Sequence, residues 1–301
     1  MANEKLGPTL LTGHTGQVGS EVLKQQPGLL LSDHRLDKNL TDFSDFLLKN
    51  EPAVVINAAA YTKVDQAETD QATTRAVNVD AVEIITSACK TIGSRIVHFS
   101  TDYVFDGLKR GPYTENDICS PCNYYGMTKH CSESLCLSQA TISGAIFRTS
   151  WVMGDSGNNF VTTLLRLGLE RPTLQIIDDQ IGRPTSSKLL AQAAIEVASA
   201  KKLGNRPCQV IHLSDDGEPV SWFQLAKYVL NRARDWDYPG IEAKDLRPIS
   251  SEAYGQTARR PKNSILSCAM FDSLFDTQRI HWKHTIDSII EEAAKNDWRD
   301  W

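Results

Sequence analysis

Hydrophobic and polar positions along this chain switch repeatedly between two periods. Short apolar runs follow Pro8 and recur at Leu29 to Leu31, Ala53 to Ile56, Arg95 to Ser100 and Ala145 to Arg148. Each is too short for a buried helix and is bounded by turn residues, so each reads as a buried strand. Helical patterns lie between them, and Val79, Val82, Ile85 and Cys89 form a core-facing stripe. Strands alternating with helices at this spacing predict an α/β fold, a doubly wound parallel sheet of the Rossmann type with ligands at the carboxyl ends of its strands. Past Trp151 the regularity loosens. Helices are expected at Phe160 to Leu169, Lys188 to Ala200 and Ser221 to Arg234, short strands at Leu174 to Ile177 and Gln209 to Leu213, and loops at 154–159 and 182–185. The pattern predicts a dinucleotide-binding domain over 1–155, with about 186–214 returning to the sheet. A second, smaller α/β substrate lobe is expected over 156–185 and 215–301, with substrate in the crevice between the two.

Composition narrows the classes. A chain of 301 residues, 41% hydrophobic and 23% charged, is an ordinary globular protein. Its net charge of −5 argues against a nucleic-acid or anionic-membrane surface. The opening MANEKLGPTLL lacks a secretory pattern, and seven scattered cysteines read as reduced thiols, so a cytoplasmic protein is expected. Three of the six tryptophans, Trp282, Trp298 and Trp301, suggest a packed or partner-covered carboxyl end.

The candidate chemistry begins at Gly13, Gly16 and Gly19, at GxxGxxG spacing between a strand and a helix. Glycines there permit a tight turn and close backbone approach to a pyrophosphate, which the helix amino end attracts. The spacing alone also fits a plain turn; Asp33, 20 residues after Gly13, strengthens it as an acceptor for the adenosine ribose diol. That carboxylate favours NADH over NADPH, while Arg35 and Lys38 nearby would do the opposite. Small residues at 58–60, after the third strand, let a cofactor lie against backbone or simply pack. Thr101 and Asp102 emerge at the end of the fourth strand, and Tyr125 and Lys129 stand four apart on the following helix. Tyrosine with a neighbouring ammonium is a general acid in the making, because the cation draws the phenol pKa down from about 10. Thr101 would fix a carbonyl oxygen beside it. The bland alternative for Tyr125 and Lys129 is a solvated helix face. Asn78, His98 and His212 read as buried, satisfied core residues, and His14 as a surface position.

Nine segments carry a resemblance over nearly the whole chain: TGHTGQVG, VINAAAYTKVDQAE, STDYVFDG, PYTE, YGMTK, RTSWVMG, GNNFV, DDQIGRPT and ARRPKNS. The chain resembles the extended short-chain dehydrogenase/reductases, and within them the dTDP-4-dehydrorhamnose reductases. The resemblance implies Thr101, Tyr125 and Lys129 as the catalytic trio. It implies a cofactor, NADPH or NADH, along Gly16, Gln17, Val18, Asp33, Ala59, Ala60 and Tyr61, and the turn residues Gly13 and Gly19, the pair Asn39 and Leu40, and Tyr125 and Lys129 are expected beside it. It implies a sugar nucleotide against Thr101, Asp102 and Trp151, and the forked donors of Arg259 and Arg260 are further candidates for it. The implied reaction is reduction of a 4-keto-6-deoxy sugar, by a monomer or homodimer that engages no nucleic acid and no membrane.

Departures from the family pattern bear on three points. Asn39-Leu40 replaces a more acidic adenine-side segment. Lys188 stands where some bacterial members place a glutamate of a metal-bridged dimer, so no metal is expected. Cys119 and Cys122 form a CxxC before the catalytic helix, but with Cys131 and Cys136 they lack a zinc-knuckle spacing and read as incidental thiols. Arg148, Arg259 and Arg260 are either diphosphate ligands or structural ion pairs, and Trp151 is either a stacking surface or core. Two alternatives stay open: another sugar-nucleotide 4-ketoreductase or epimerase, or a regulatory subunit of the kind that binds methionine adenosyltransferase.

Overall fold

The computed structural model describes residues 7–236, 243 and 245–295. The first half alternates β1 (Thr9–Thr12), α1 (Gln17–Gln25), β2 (Leu30–Ser32), α2 (Leu40–Asn50) and β3 (Val54–Asn57). After α3 (Val64–Ala67) and α4 (Gln71–Arg75), one π-helical turn (Ala76–Asp80) leads into α5 (Ala81–Ile92). Next come β4 (Arg95–Thr101), a 3-10 turn (Asp102–Val104), α6 (Tyr124–Leu137) and β5 (Gly144–Thr149). The second half holds β6 (Val152–Met153), α7 (Phe160–Glu170), β7 (Thr173–Ile177), β8 (Ile181–Gly182), β9 (Thr185–Ser186), α8 (Ser187–Ala198) and β10 (Gln209–His212). It ends with β11 (Val220–Ser221), α9 (Trp222–Asp235), β12 (Asp245–Ile249), α10 (Ser251–Tyr254), α11 (Ala269–Leu274) and α12 (Trp282–Lys295).

Six strands form one sheet in the order β10-β5-β4-β3-β1-β2, and every pairing in it is parallel. Successive strand residues point to opposite faces, and both faces are covered. Leu11, Val54, Ile56 and Val97 join a core with Val22 of α1, Leu190 of α8 and Phe271 of α11. Leu10, Val55 and Ile96 join the opposite core with Phe43 of α2, Ile85 of α5 and Cys136 of α6. Burial on both sides is why these strands read as continuous apolar runs. The chain passes from β1 outward to β2 and then back across to β3, so a crevice opens between the carboxyl ends of β1 and β3.

The second hydrophobic cluster gathers Val161 and Leu165 of α7, Leu225 and Val229 of α9, and Trp282 and Ile286 of α12. Only two- and five-residue strand pairs support it: β7 with β12, β8 with β11, and β6 with β9. The expected loop at 182–185 is thus partly strand, because two-residue strands leave no alternation in the sequence. Trp282 is core, donating its indole N–H to the Glu218 carbonyl at 3.0 Å. Trp298 and Trp301 lie outside the described residues.

Asp215, fully buried after β10, joins the sheet to the second cluster. It accepts the Ser186 N–H at the start of α8 (2.9 Å) and the Thr285 hydroxyl of α12 (2.5 Å), and burial pushes its carboxyl up to about 6. A folded-state pKa above the ordinary 3.8 means that folding favours the protonated form. Asp215→Ala strands both donors and should cost roughly 1–3 kcal/mol in urea unfolding at neutral pH. Relative to Asp215→Asn, the wild type should gain stability as pH falls from about 6 toward 4; a difference that is flat with pH would exclude a raised carboxyl.

Candidate active site

At the switch point Gly13 takes a left-handed φ of +68°, and a Cβ there would lie 2.5 Å from the Ala59 nitrogen. Only glycine permits that approach between the turn after β1 and the segment after β3. Gly19 does not line the cleft; it packs α1 onto the Gly13 carbonyl. The α1 amino end is capped by Gly16 with no side-chain hydrogen bond and has no acid in its first turn, which leaves its N–H groups open to an anion. A cleft of about 390 Å³ runs here past Thr12, Gly13, Gly16, Asp33, Ala59 and Ala60. Asp33 is exposed and meets His14 Nε2 at 3.4 Å, so His14 is a cleft residue and not a mere surface one.

Three further residues expected on this cleft are not among its walls. Asn39, at φ +54°, and Leu40 are used to start α2, and Leu36 takes their place. Tyr61 turns its hydroxyl to Gln66 and Asp70, while its backbone is clamped by buried Asn78, which accepts Tyr61 N–H at 2.8 Å. Asn78 also donates to Tyr61 O and to Thr128 of α6, so the π-helical turn that carries it fixes both the cofactor-side loop and α6. Arg35 is spent on Asp37 at 2.7 Å.

Gly16, Ala58 and Ala60 also border a second cavity of about 430 Å³, with Gln17, Val18, Thr101, Asp102, Tyr125, Lys129 and Trp151. Helix α6 is set against it by three contacts. Asn123 caps the helix at Gly126 N (2.7 Å), Glu68 accepts Tyr124 N–H (2.8 Å), and Gly126 lets α6 touch the turn after β4. A Cβ on Gly126 would sit 2.2 Å from the Tyr103 carbonyl oxygen, so any larger residue would push Tyr125 away from Thr101. The Thr101 hydroxyl donates to Asp102 Oδ1 at 3.0 Å, and burial raises the Asp102 carboxyl to about 6. Thr149 Oγ1 and Gln17 Oε1 are buried without a hydrogen-bond partner, and their residues border this one cavity with Asp102, whose carboxylate has the Thr101 and Ser264 hydroxyls beside it. Such orphaned groups are costly unless a ligand completes them.

Two electrostatic expectations are corrected. The Tyr125 phenol is shifted upward, by burial first and by the Asp102 charge second, with the Thr101 hydroxyl opposing; the Lys129 ammonium does not draw it down. Lys129 is also not on a solvated face: it is 2% exposed, and its Nζ lies 3.2 Å from His98 Nε2. Burial lowers its pKa to about 8. The helical period places Tyr125 and Lys129 on one face, as expected, but that face is turned inward.

Tyr103 and Trp222 lead from this cavity to a third, of about 540 Å³, walled largely by α7 and β7 with Gln180 and Arg260. Trp151 stacks on Trp222 at 3.5 Å between ring centroids and holds a left-handed φ of +49°, strain of the kind kept at ligand sites. Arg260 borders the third cavity, held by Asp65 at 2.7 and 3.1 Å; Arg259 is exposed and borders neither the second nor the third cavity. Arg148 is a structural partner of buried Glu133, at 2.8 and 2.7 Å. Its Nη2 also donates to Cys119 Sγ, and Cys122 donates to the Arg259 carbonyl, which gives both thiols places in the loop. Cys119, His130 and Glu133 form the one metal-sized group among the described residues, but the Glu133 carboxylate is already taken by Arg148 and Ser100. Tyr103, Trp222, Phe160 and Gln180 were not among the expected site residues; Tyr103, Phe160 and Gln180 nevertheless lie inside STDYVFDG, GNNFV and DDQIGRPT, and only Trp222 had no local signal.

Comparison with known proteins identifies the family. The family model described as RmlD substrate binding domain matches residues 8–295. The dTDP-4-dehydrorhamnose reductase of Aggregatibacter actinomycetemcomitans is 37% identical over 297 residues, covering 93% of this chain and 97% of its own. That of Escherichia coli K12 is 36% identical, covering 94% and 97%. Among solved structures, dTDP-4-dehydrorhamnose reductase from Bacillus anthracis in complex with NADP aligns with a TM-score of 0.85 and 30% identity, over 95% of this chain and 99% of that one. The ortholog from Clostridium acetobutylicum aligns at 0.83 and 32%, over 94% and 98%. With a parallel doubly wound sheet, a glycine-turn cleft and the Thr101–Tyr125–Lys129 cavity in place, this chain belongs to the dTDP-4-dehydrorhamnose reductase family.

Proposed function

We propose that the chain reduces the 4-keto group of dTDP-4-dehydro-6-deoxy-L-mannose to give dTDP-L-rhamnose, using NADPH or NADH. The observation that carries this reading is the pair of orphaned buried polar atoms, on Gln17 and Thr149, around one cavity with Asp102 and Tyr125. The residues present suit a dinucleotide: the Gly13 approach leaves the cleft floor as bare backbone, and the uncapped α1 amino end suits a pyrophosphate. Asp33 and His14 would hold the adenosine side, and Gln17, Val18 and Lys129 the nicotinamide side. The nicotinamide, when bound, supplies the hydride.

The chain's own groups do the rest. Tyr125 is the proton donor. Its raised pKa keeps the phenol protonated at neutral pH, which the reductive direction needs. Thr101 already has its hydroxyl at the strand end, and a sugar oxygen would compete with Asp102 for that hydrogen. Asp102, titrating at about 6, is a carboxylate at neutral pH and accepts from a sugar hydroxyl. Trp151 offers its ring beside them, and the third cavity, with Arg260 at its edge, would hold the nucleotide. Residues 1–155 with about 186–214 serve the cofactor, and 156–185 with 215–301 the substrate. No helix among the described residues is long and apolar enough to cross a membrane.

Incubation with dTDP-4-dehydro-L-rhamnose should consume reduced nicotinamide stoichiometrically. Retained NAD⁺ that never turns over would favour an epimerase. Tyr125→Phe should lower turnover by about 10²-fold or more with cofactor binding kept; turnover within threefold of wild type would remove Tyr125 from the role. Asp33→Ala removes the ribose-diol acceptor and should raise the NADPH/NADH ratio of kcat/KM. An unmoved ratio would place Asp33 elsewhere.

Burial of Lys129 has a cost that can be read from stability. Its folded pKa of about 8 lies below the ordinary 10.5, so folding favours the neutral amine. That stabilisation is present above 10.5 and lost as pH falls through 8. Lys129→Met should therefore be the more stable protein at pH 7, by an amount on the order of 3 kcal/mol. The gap should close as pH rises from 8 toward 10.5 in paired urea melts. A gap independent of pH would mean an ammonium that is solvated after all.

A further inference from the structure

His98 has no place in the proton chemistry above, yet it is completely buried and touches Lys129. Its hydrogen bonds fix its protonation. Asn57 Oδ1 receives the Thr12 hydroxyl at 2.7 Å and the Ala59 backbone N–H at 3.3 Å. A backbone N–H can only donate, so the atom facing it is the amide oxygen, and the amide nitrogen is the one 3.1 Å from His98 Nδ1. An amide NH₂ offers no lone pair, so Nδ1 must accept. Burial, and then the charge of Lys129, keep the ring neutral, and its single proton therefore sits on Nε2.

Nε2–H has its own acceptor, Ser132 Oγ at 3.0 Å, whose hydroxyl is turned to the Lys129 carbonyl at 2.7 Å. Lys129 Nζ, 3.2 Å from that Nε2, meets an N–H and finds no lone pair. Among the described residues no other side chain is hydrogen-bonded to Nζ. Glu133, the nearest opposing charge, has its carboxylate taken by Arg148 and Ser100. The ammonium is thus buried with donors and without an internal acceptor, on the wall of the cavity that holds Tyr125.

We infer that His98 is a positioning residue for Lys129: locked by Asn57 as the Nε2–H tautomer, its ring denies the ammonium an acceptor inside the protein and keeps the lysine donors turned toward the cofactor side of the cavity. The inference rests on the reading of Lys129 as a cofactor-binding donor. It extends the site by a chain of three strands, in which Thr12 sets Asn57, Asn57 sets His98 and His98 sets Lys129.

Two measurements test it on the full-length protein. Nitrogen-15 NMR of the histidine side chains, with His98 assigned by its loss in His98→Gln, should show Nδ1 unprotonated and Nε2 protonated at neutral pH. The opposite tautomer, or a charged ring, overturns the inference. The second is NADPH titration without sugar substrate, for wild type, His98→Leu, Lys129→Met and the double variant. His98→Leu frees the Ser132 Oγ lone pair that Nε2–H now occupies and so offers Nζ an internal acceptor; NADPH binding should weaken about tenfold, and by less than about twofold when Lys129 is already Met. His98→Gln, which can return an amide N–H to the Nε2 position, should recover most of the affinity, and it substitutes in the comparison if the leucine variant does not fold. Equal losses from His98→Leu in both backgrounds would mean a packing role only and overturn the inference. Wild-type NADPH affinity in Lys129→Met would instead remove the reading of Lys129 on which the inference stands.

Discussion

Three polar side chains at one level of an otherwise apolar sheet govern how this site is assembled. Thr12 is in register with Asn57, and Asn57 with His98, so the three lie side by side on β1, β3 and β4. All are at most 1% exposed. In such surroundings a polar group is tolerated only if its hydrogen bonds are complete, and a sheet slipped by one residue would leave every one of them unpaired. The row therefore fixes the relative heights of three strands, and with them the heights of the three loops that form the trench. The glycine turn follows the first strand, the Ala58–Ala60 floor the second, and Thr101–Asp102 end the third.

Helix α6 meets that row through an unpaired charge, Lys129 beside His98, and meets β4 and β5 one turn on through a paired one. Glu133 and Arg148 satisfy each other, with Ser100 adding a third bond, and the arrangement holds the Glu133 carboxyl down at about 2 despite burial. A pair of this kind rarely adds net stability, but breaking it by removing one partner is expensive. One turn earlier, Lys129 has no such partner. The contrast within one helix is between a charge whose partners lie inside the protein and a charge left without one. Stability given up at a buried, unpartnered ammonium is what a site for an incoming acceptor looks like before the acceptor arrives.

How much of this was legible in the sequence depended on how local each feature is. The strands, the glycine turn and the Tyr125–Lys129 face follow from spacings of two to seven residues, and all are found. The depth of Lys129 was not legible, because helical period reports a shared face and says nothing of what covers it. The sign of the Tyr125 shift was missed for the same reason: burial, invisible in the sequence, outweighs any nearby cation. Asn39, Leu40 and Tyr61 came from resemblance alone, and local demands, a helix start and a clamp by Asn78, take them off the cleft. The third cavity draws Tyr103, Phe160, Gln180, Trp222 and Arg260 from five separate segments, a grouping that only tertiary structure creates.

The two halves of the trench are joined by a strut that the VDQAE segment supplies. Asp65 on α3 accepts the Ala258 N–H at 2.9 Å and both ends of the Arg260 guanidinium, while Glu68, one turn on, caps α6 at Tyr124. The loop that borders the glycine-turn cleft therefore continues directly into the helix that holds Arg260 at the third cavity and into the contact that seats Tyr125. A guanidinium fixed by two carboxylate oxygens has lost most of its rotamer freedom before any ligand binds, which lowers the ordering cost of recognising a phosphate beside it. The same carboxylate has to stay ionised for this, and the Arg260 guanidinium, with the backbone N–H of Ala258, holds its pKa below the ordinary range. The segment after β3, the seat of Tyr125 and the Arg260 edge of the third cavity are thus tied together through Asp65 and Glu68, and none of the three can move far without the others.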